Sequence, residues 1–329
     1  MILSPKQCFM HTSNSPITQR KNVYQEITDY VIDALEKGVA IWRKPWTSHA
    51  TPAATFPQNL TTGKAYKGWN HFYLDWVGMI REFKSPYYLT YKQAQALGGS
   101  IKKGSKGFPI IKWVARSQEK ITRNKETGQD EVSVDLRLSP VTHIVFNVEQ
   151  TENIAYMNPV AIEVPQPERI HQCEGIVDGM PNSPRIEMGG DRAFYRRMSD
   201  LVRVPFLSDF TNPEEYYSTL FHELIHSTGH EKRLNRKELI QHDGFGGNNY
   251  SREELTAEMG AAYLCRVTGI EQKTIDNSAA YIQGWLCELR NDKTLILVAA
   301  AKAQAAADYI LGDRVAPVST DKQPDTQHT

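Results

Sequence analysis

No stretch of this chain is more restricted in what it can become than residues 212–228. Asn212 is a strong helix N-cap, Pro213 suits the first helical position, and Glu215 at the third completes a capping-box-like pair. Tyr217, Leu220, Phe221, Leu224 and Ile225 then recur at helical spacing and form one apolar stripe that must be buried. Across the same turns runs His222-Glu223-Leu224-Ile225-His226. Residues four apart on a helix differ by about 40° and roughly 6 Å of rise, so both imidazoles can aim at one ion. Glu223, about 100° away, can reach a water at that ion without ligating it. A match to this HExxH pattern is expected by chance about two times in a hundred in such a chain, so context has to decide. The 100° rule supplies it by placing the histidines opposite the stripe, where a core histidine would not lie.

Two imidazoles do not complete a zinc site, and a third donor is required. His230 continues the four-residue repeat, and Gly229 occupies the glycine place of HExxHxxGxxH, but the third histidine of that longer motif would fall on Lys232. Glu254 is the better third ligand. It opens the next helix with Ser251-Arg252-Glu253, where it is also placed to be the capping partner of Ser251. Glu258, one turn on, is placed to bond a ligand histidine's other nitrogen. The pattern implies Zn2+, with Mn2+ or another divalent ion as alternative, held by His222, His226 and Glu254. A position stays open for water, and Glu223 serves as general base. For oxyanion stabilisation His230, Tyr195 and Tyr250 are all available.

The neutral net charge conceals a division. Residues 1–125 carry 19 Lys and Arg against 7 Asp and Glu, the remainder carries 19 against 31, and five of the six tryptophans lie in the basic part. Cations and aromatic faces together suit single-stranded nucleic acid, where lysines follow phosphates and rings stack on bases. The candidates are Trp42, Arg43, Lys44 and Trp46; Lys64, Tyr66, Lys67, Trp69 and Asn70; and Lys102, Lys103 and Lys106. Trp76 and Trp113, flanked by apolar neighbours, read instead as core. No apolar run approaches a membrane span, and no secretory core opens the chain. The four dispersed cysteines read as reduced thiols, so a cytoplasmic protein is expected.

Helices are expected at Val23 to Lys37 with Gly38 as stop, at Asn70 to Arg81, and after Thr90 up to Gly98-Gly99. Pro45 to Gly68 reads as an ordered loop. Strands are expected at Pro109–Ala115, Val132–Leu138 and His143–Val148, with a polar hairpin tip at Lys120 to Asp130. From Ala279 to Leu311 the Ala-rich sequence reads as one long helical region. The divisions are a flexible leader over 1–20, a nucleic-acid-binding domain over 21–150, a proline-rich linker over 151–183, a mainly helical domain over 184–312 and a disordered tail over 313–329. The class is α+β.

At these residues the chain resembles the antirestriction proteins of the ArdC type found on plasmids, phages and integrative elements. In the first half the likeness rests on Trp42-Arg43-Lys44-Pro45-Trp46, on Asn59 with Thr62-Gly63-Lys64-Ala65-Tyr66-Lys67-Gly68-Trp69-Asn70, on Leu89-Thr90-Tyr91-Lys92-Gln93-Ala94 and on Val145-Phe146-Asn147-Val148-Glu149-Gln150-Thr151. In the second it rests on residues 216–230, on Arg233-Leu234, Phe245-Gly246 and Tyr250, and on Glu253-Glu254-Leu255-Thr256-Ala257-Glu258. The resemblance implies an N-terminal single-stranded-DNA-binding domain, with Asn59 among its contacts, and a zincin-like metallopeptidase domain. It further implies protection of incoming mobile DNA from host restriction; one hypothesis is that the peptidase acts on a host restriction component as its protein substrate. The alternative is a non-catalytic DNA-binding shield whose metal domain is structural. A nuclease or primase accessory ranks last, because two-metal phosphoryl chemistry needs more carboxylates.

Overall fold

The computed structural model describes residues 23–42, 56–123, 130–159, 165–240, 248–270 and 278–312. The 1–20 leader, Arg43, Lys44, Trp46, the centre of the 120–130 tip and the 313–329 tail lie outside the described residues. What is described divides into two compact units, one up to residue 163 and one from residue 164.

The first unit opens with α1, Val23–Glu36, which buries Ile27, Val31, Ala34 and Leu35. Gly38 ends it in the left-handed region, at φ 77°. The Val39 N–H bonds the Ala34 carbonyl and the Gly38 N–H that of Leu35, a Schellman closure that satisfies two terminal carbonyls. There follow β1 (Gln58–Asn59), α2 (Trp69–Ile80), β2 (Tyr87–Thr90), α3 (Tyr91–Ala96), β3 (Ser100–Ile101), β4 (Phe108–Arg123), β5 (Asp130–Asn147) and β6 (Thr151–Glu152). Thr90 caps α3 in a complete box with Gln93. The main sheet has the order β1-β2-β5-β4, and β3 pairs with β6 separately. Tyr88, Phe108, Ile110 and Val145 share one face, which packs on Leu74 and Val77 of α2.

The two strands expected at 132–138 and 143–148 are one. The β4–β5 ladder runs unbroken from Phe108↔Val145 to Arg123↔Asp130, with Pro140 opposite Trp113. Proline is tolerated there because β2 pairs with β5 only over Val145 to Asn147, so the missing N–H breaks no ladder bond on that side.

The second unit holds α4 (Gln166–Gly179), β7 (Arg185–Met188), β8 (Phe194–Arg196), β9 (Leu201–Val204), α5 (Pro213–Thr228), α6 (Lys237–Ile240), α7 (Asn248–Thr268), α8 (Ser278–Asn291) and α9 (Leu295–Ile310). Within the stretch read as a linker, α4 places Cys173 fully buried in this unit's core. The mainly helical expectation also needs a small sheet added. Its order is β7-β9-β8, with β7 parallel and β8 antiparallel to the central β9, so β8 is an edge. The Ala279–Leu311 region divides in two. Asp292 accepts from the Thr294 N–H at 2.9 Å and from its hydroxyl at 2.6 Å, which turns the chain between α8 and α9.

Leu220, Phe221, Leu224 and Ile225 of α5 join Ala257, Ala261 and Leu264 of α7, Ala306 and Ala307 of α9, and Val202 and Val204 of β9 in one core. The small residues of α7 and α9 let these helices approach closely. The polar face of α5 lies against α7, with His222 and His226 facing Glu254 and Glu253.

Candidate metal centre

Asn212 caps α5 by accepting the Glu215 N–H at 2.9 Å, with Pro213 at the helix start. The reciprocal half of the expected box is displaced by one residue, since Glu215 accepts from the Thr211 N–H at 3.2 Å. Glu214 and Glu215 add negative charge where the helix dipole favours it. The helix is buried on every side by its last three turns: His222, Glu223 and His226 are each less than a tenth exposed, like the apolar stripe opposite them. The histidines do lie off the stripe, but α7 covers them, not solvent.

α7 begins at Asn248, so Ser251 lies inside the helix and cannot be its N-cap. The capping alternative for Glu254 falls away with it. Glu254 reaches across, its carboxylate oxygens 3.5 Å from His222 Nε2 and 3.4 Å from His226 Nε2. The two Nε2 atoms are 3.1 Å apart. One donor atom from each of the three residues lies within 4.8 Å of the others, the only such group of His, Cys, Asp or Glu among the described residues.

This donor set fits a divalent cation on chemical grounds. Glu253, next in the helix, sets its Oε1 3.2 Å from His226 Nδ1. Burial raises the Glu253 pKa, but the Arg236 guanidinium and His226 overcome it and bring the carboxyl down to about 2. An ionised carboxylate only accepts, so Nδ1 carries the proton and Nε2 presents its lone pair. Lone pairs and carboxylate oxygens crowded this closely, out of water, require protons or a metal between them. Without metal, protons take that place. Burial depresses both imidazoles, yet Glu254 with Glu253 holds His226 well above its ordinary range, and Glu254 raises His222 likewise.

Glu223 stands apart from the three. Burial, opposed by His222 and His226, pushes its carboxyl above the usual value, and the Tyr195 backbone on edge strand β8 bonds it. A carboxyl tuned upward takes and keeps a proton more readily than an ordinary carboxylate.

Glu258 faces the nitrogen expected of it, at ion-pair range and not hydrogen-bond range. Its Oε1 is 3.8 Å from His222 Nδ1, and the carboxylate within hydrogen-bond distance of a histidine's Nδ1 is that of Glu253, at 3.2 Å from His226. Three glutamates on one helix cannot be ranked by spacing alone, and sequence reading missed both Glu253 and its partner Arg236. Among the oxyanion candidates, the Tyr195 hydroxyl donates to Asp200 at 2.9 Å and accepts from Arg233 at 3.3 Å, while His230 Nδ1 accepts the Lys232 N–H.

The residues picked for nucleic acid separate into two kinds. Trp42 and Trp69 are buried, Trp69 stacked 5.7 Å from Tyr73. Asn70 bonds both the N–H and the carbonyl of Ile111, and the Asn59 side chain bonds Thr61, Thr62 and Tyr66 nearby in sequence and Gln93 of α3. These side chains are engaged within the fold. Lys64, Lys67, Lys102, Lys103 and Lys106 are exposed. Trp113, expected in the core, is 50% exposed on β4, whereas Trp76 packs edge-on against Tyr30 as expected.

Comparison with known proteins adds the following. Residues 21–142 match the family described as the N-terminal domain of anti-restriction factor ArdC, and residues 171–302 match the zincin-like metallopeptidase family MPTase-PolyVal. The chain is 31% identical to the crystal structure of the antirestriction protein ArdC of plasmid R388 in its Mn(II)-bound form. That match has a TM-score of 0.69 and covers 89% of this chain and 98% of that one. It is 31% identical over 302 residues to the uncharacterized protein y4eC of Sinorhizobium fredii, covering 92% of this chain and 95% of that protein. It is 33% identical over 300 residues to the DNA primase TraC of Escherichia coli, but spans only 27% of TraC's length. No helix among the described residues is long and apolar enough to cross a membrane.

Proposed function

This chain belongs to the ArdC-type antirestriction family, and from that membership we propose that it protects incoming mobile DNA from host restriction by two devices on one chain. The first unit, taken as 21–150, binds single-stranded DNA through its exposed lysines and Trp113. The second, 184–312 with α4 joined to it, is a metallopeptidase whose substrate is a protein of the host restriction system. The observation that carries the reading is the convergence of His222, His226 and Glu254 beside the buried Glu223.

His222, His226 and Glu254 hold the ion, Zn2+ in the first instance, with Mn2+ as the alternative that the ArdC relative contains. A divalent ion there supplies Lewis acidity toward water and a peptide carbonyl. The rest is done by the chain. Glu223 Oε accepts the proton of the attacking water and delivers it to the departing amine, its raised pKa matching both tasks. The place of action is the cytoplasm, where incoming DNA meets restriction enzymes. A polynucleotide-cleaving centre is less supported, since the cluster offers one carboxylate.

A second reading is favoured by the burial of all three donors: the ion serves structure, and the DNA-binding unit alone provides protection. One experiment separates the two. Wild type and Glu223→Ala are compared in a DNA-transfer assay into restricting and non-restricting hosts. Loss of protection with retained metal supports the peptidase. Full protection by Glu223→Ala sinks it and leaves the shield.

A further inference from the structure

Arg236 and Glu253 form a buried ion pair that the proposed chemistry does not use. We propose that Glu253, held by Arg236, is the positioning residue that fixes His226 as a metal ligand, at a shorter range than the 3.8 Å ion-pair contact between Glu258 and His222. This inference rests on the metal-site reading above and deepens it.

The geometry is a chain of contacts. Arg236 Nε donates to Glu253 Oε2 at 3.0 Å and Nη2 donates to Oε1, a two-pronged grip that leaves the carboxylate little freedom to rotate. The same guanidinium bonds the Ile225 carbonyl at 2.7 Å and the Thr228 hydroxyl, so Arg236 is itself tied to the last turn of α5. Glu253 Oε1 then meets His226 Nδ1 at 3.2 Å. Arg236, Glu253 and His226 are all buried, so water does not compete for these bonds. The outcome is directional: with its proton committed to Glu253, the imidazole offers Nε2 to the side where His222 Nε2 and Glu254 lie. Across the site, Glu258 Oε1 faces His222 Nδ1 at 3.8 Å, an ion-pair contact longer than the 3.2 Å from Glu253 to His226. A helix-capping role for Arg236 alone would require the bonds to Ile225 and Thr228 but not the fork onto Glu253. The fork makes α5, the segment after it and α7 converge on one imidazole.

The test measures Zn2+ affinity of the full chain by competition with a chromophoric chelator, together with the visible spectrum of the Co2+ form. Wild type, Glu253→Gln, Arg236→Lys and Glu258→Gln are compared. Glu253→Gln and Arg236→Lys are expected to weaken Zn2+ by at least about tenfold and to alter the Co2+ spectrum, while Glu258→Gln changes affinity by less than about threefold. Should Glu253→Gln not fold, Arg236→Lys, which keeps the charge and loses the fork, carries the test. If wild type takes up no Zn2+ or Co2+, the metal-site reading itself fails. If wild type binds and Glu253→Gln binds equally well, with only its thermal stability lowered, the pair is structural and this proposal is overturned. Equal losses in Glu253→Gln and Glu258→Gln would also overturn it, because the asymmetry would be gone.

Discussion

Gly260 of α7 faces Ile225 of α5 so closely that a Cβ on the glycine would stand 2.6 Å from Ile225 Cδ1, with Cγ1 and Cγ2 both within 3.0 Å. Ile225 lies between Glu223 and His226 in sequence, and Gly260 lies six residues beyond Glu254, so a side chain at 260 would push apart the helices that carry His222, His226 and Glu254. Gly260→Ala gains about 1 kcal/mol of helix propensity. Overpacking against a β-branched side chain touched at three atoms costs about 1–3 kcal/mol, so the net effect is destabilising. The expected result is a lowered melting temperature and weakened metal binding. Adding Ile225→Val removes Cδ1 and should restore part of both. A double variant no better than the single one would show that this contact does not set the spacing.

Glu223 touches none of the three donors' tasks, and that separates binding from chemistry. Glu223→Gln is expected to keep stoichiometric metal while peptide hydrolysis falls by about 10²–10⁴-fold, the usual worth of a general base. Metal content by elemental analysis and cleavage of a casein or host-lysate substrate check it. Metal lost along with activity would mean that Glu223 belongs to the ligand set.

Most of this arrangement was legible in the residues because it depends on local rules. Asn212 and Pro213 fix where α5 starts, and the start fixes the phase of His222, Glu223 and His226. Gly38 likewise marks a helix end by its left-handed backbone, and Thr90 a helix start by its side-chain cap. What stayed hidden depends on contacts distant in sequence. Which of Glu253 and Glu258 comes within hydrogen-bond distance of a histidine depends on the rotation of α7 against α5. Pro140 reads as a strand breaker until the open side of β5 is known. Trp113 sits among apolar neighbours, but alternation along β4 turns it to the face opposite Phe108 and Ile110, where burial is incomplete.

Metal affinity should rise with pH. In the metal-free protein the paired carboxylates hold His226, and less strongly His222, protonated above the ordinary imidazole range. The stability from these imidazolium pairs is fully present below the unfolded imidazole pKa and is lost as pH rises through the raised folded value. Glu253 behaves oppositely: its contribution is present above the usual carboxylate range and lost as pH falls toward about 2. A metal must displace the imidazole protons, so its apparent affinity gains about tenfold per pH unit for each proton released, over the range just above the ordinary imidazole pKa. Calorimetry in buffers of differing ionisation enthalpy counts those protons. Binding that releases none at neutral pH would contradict the raised imidazoles.

The exposed lysines and Trp113 should act on oligonucleotide binding in distinguishable ways. A lysine that neutralises a phosphate contributes about 0.7 to the slope of log affinity against log salt on a single strand. Replacing Lys64, Lys102, Lys103 or Lys106 by alanine should therefore weaken binding at low salt and flatten that slope, while Trp113→Ala should weaken it and leave the slope unchanged. The loss at Trp113 is expected near 1–3 kcal/mol, the range for a stacked base. Trp69 is the control. It is buried against Tyr73, so Trp69→Ala should cost about 3–5 kcal/mol of stability and weaken binding only through unfolding. Fluorescence anisotropy with a labelled oligonucleotide across a salt series, alongside thermal melts, separates the three behaviours. If Trp113→Ala bound like wild type while the lysine variants lost affinity, the first unit would hold DNA by charge alone, and the half-exposed ring on β4 would need another partner.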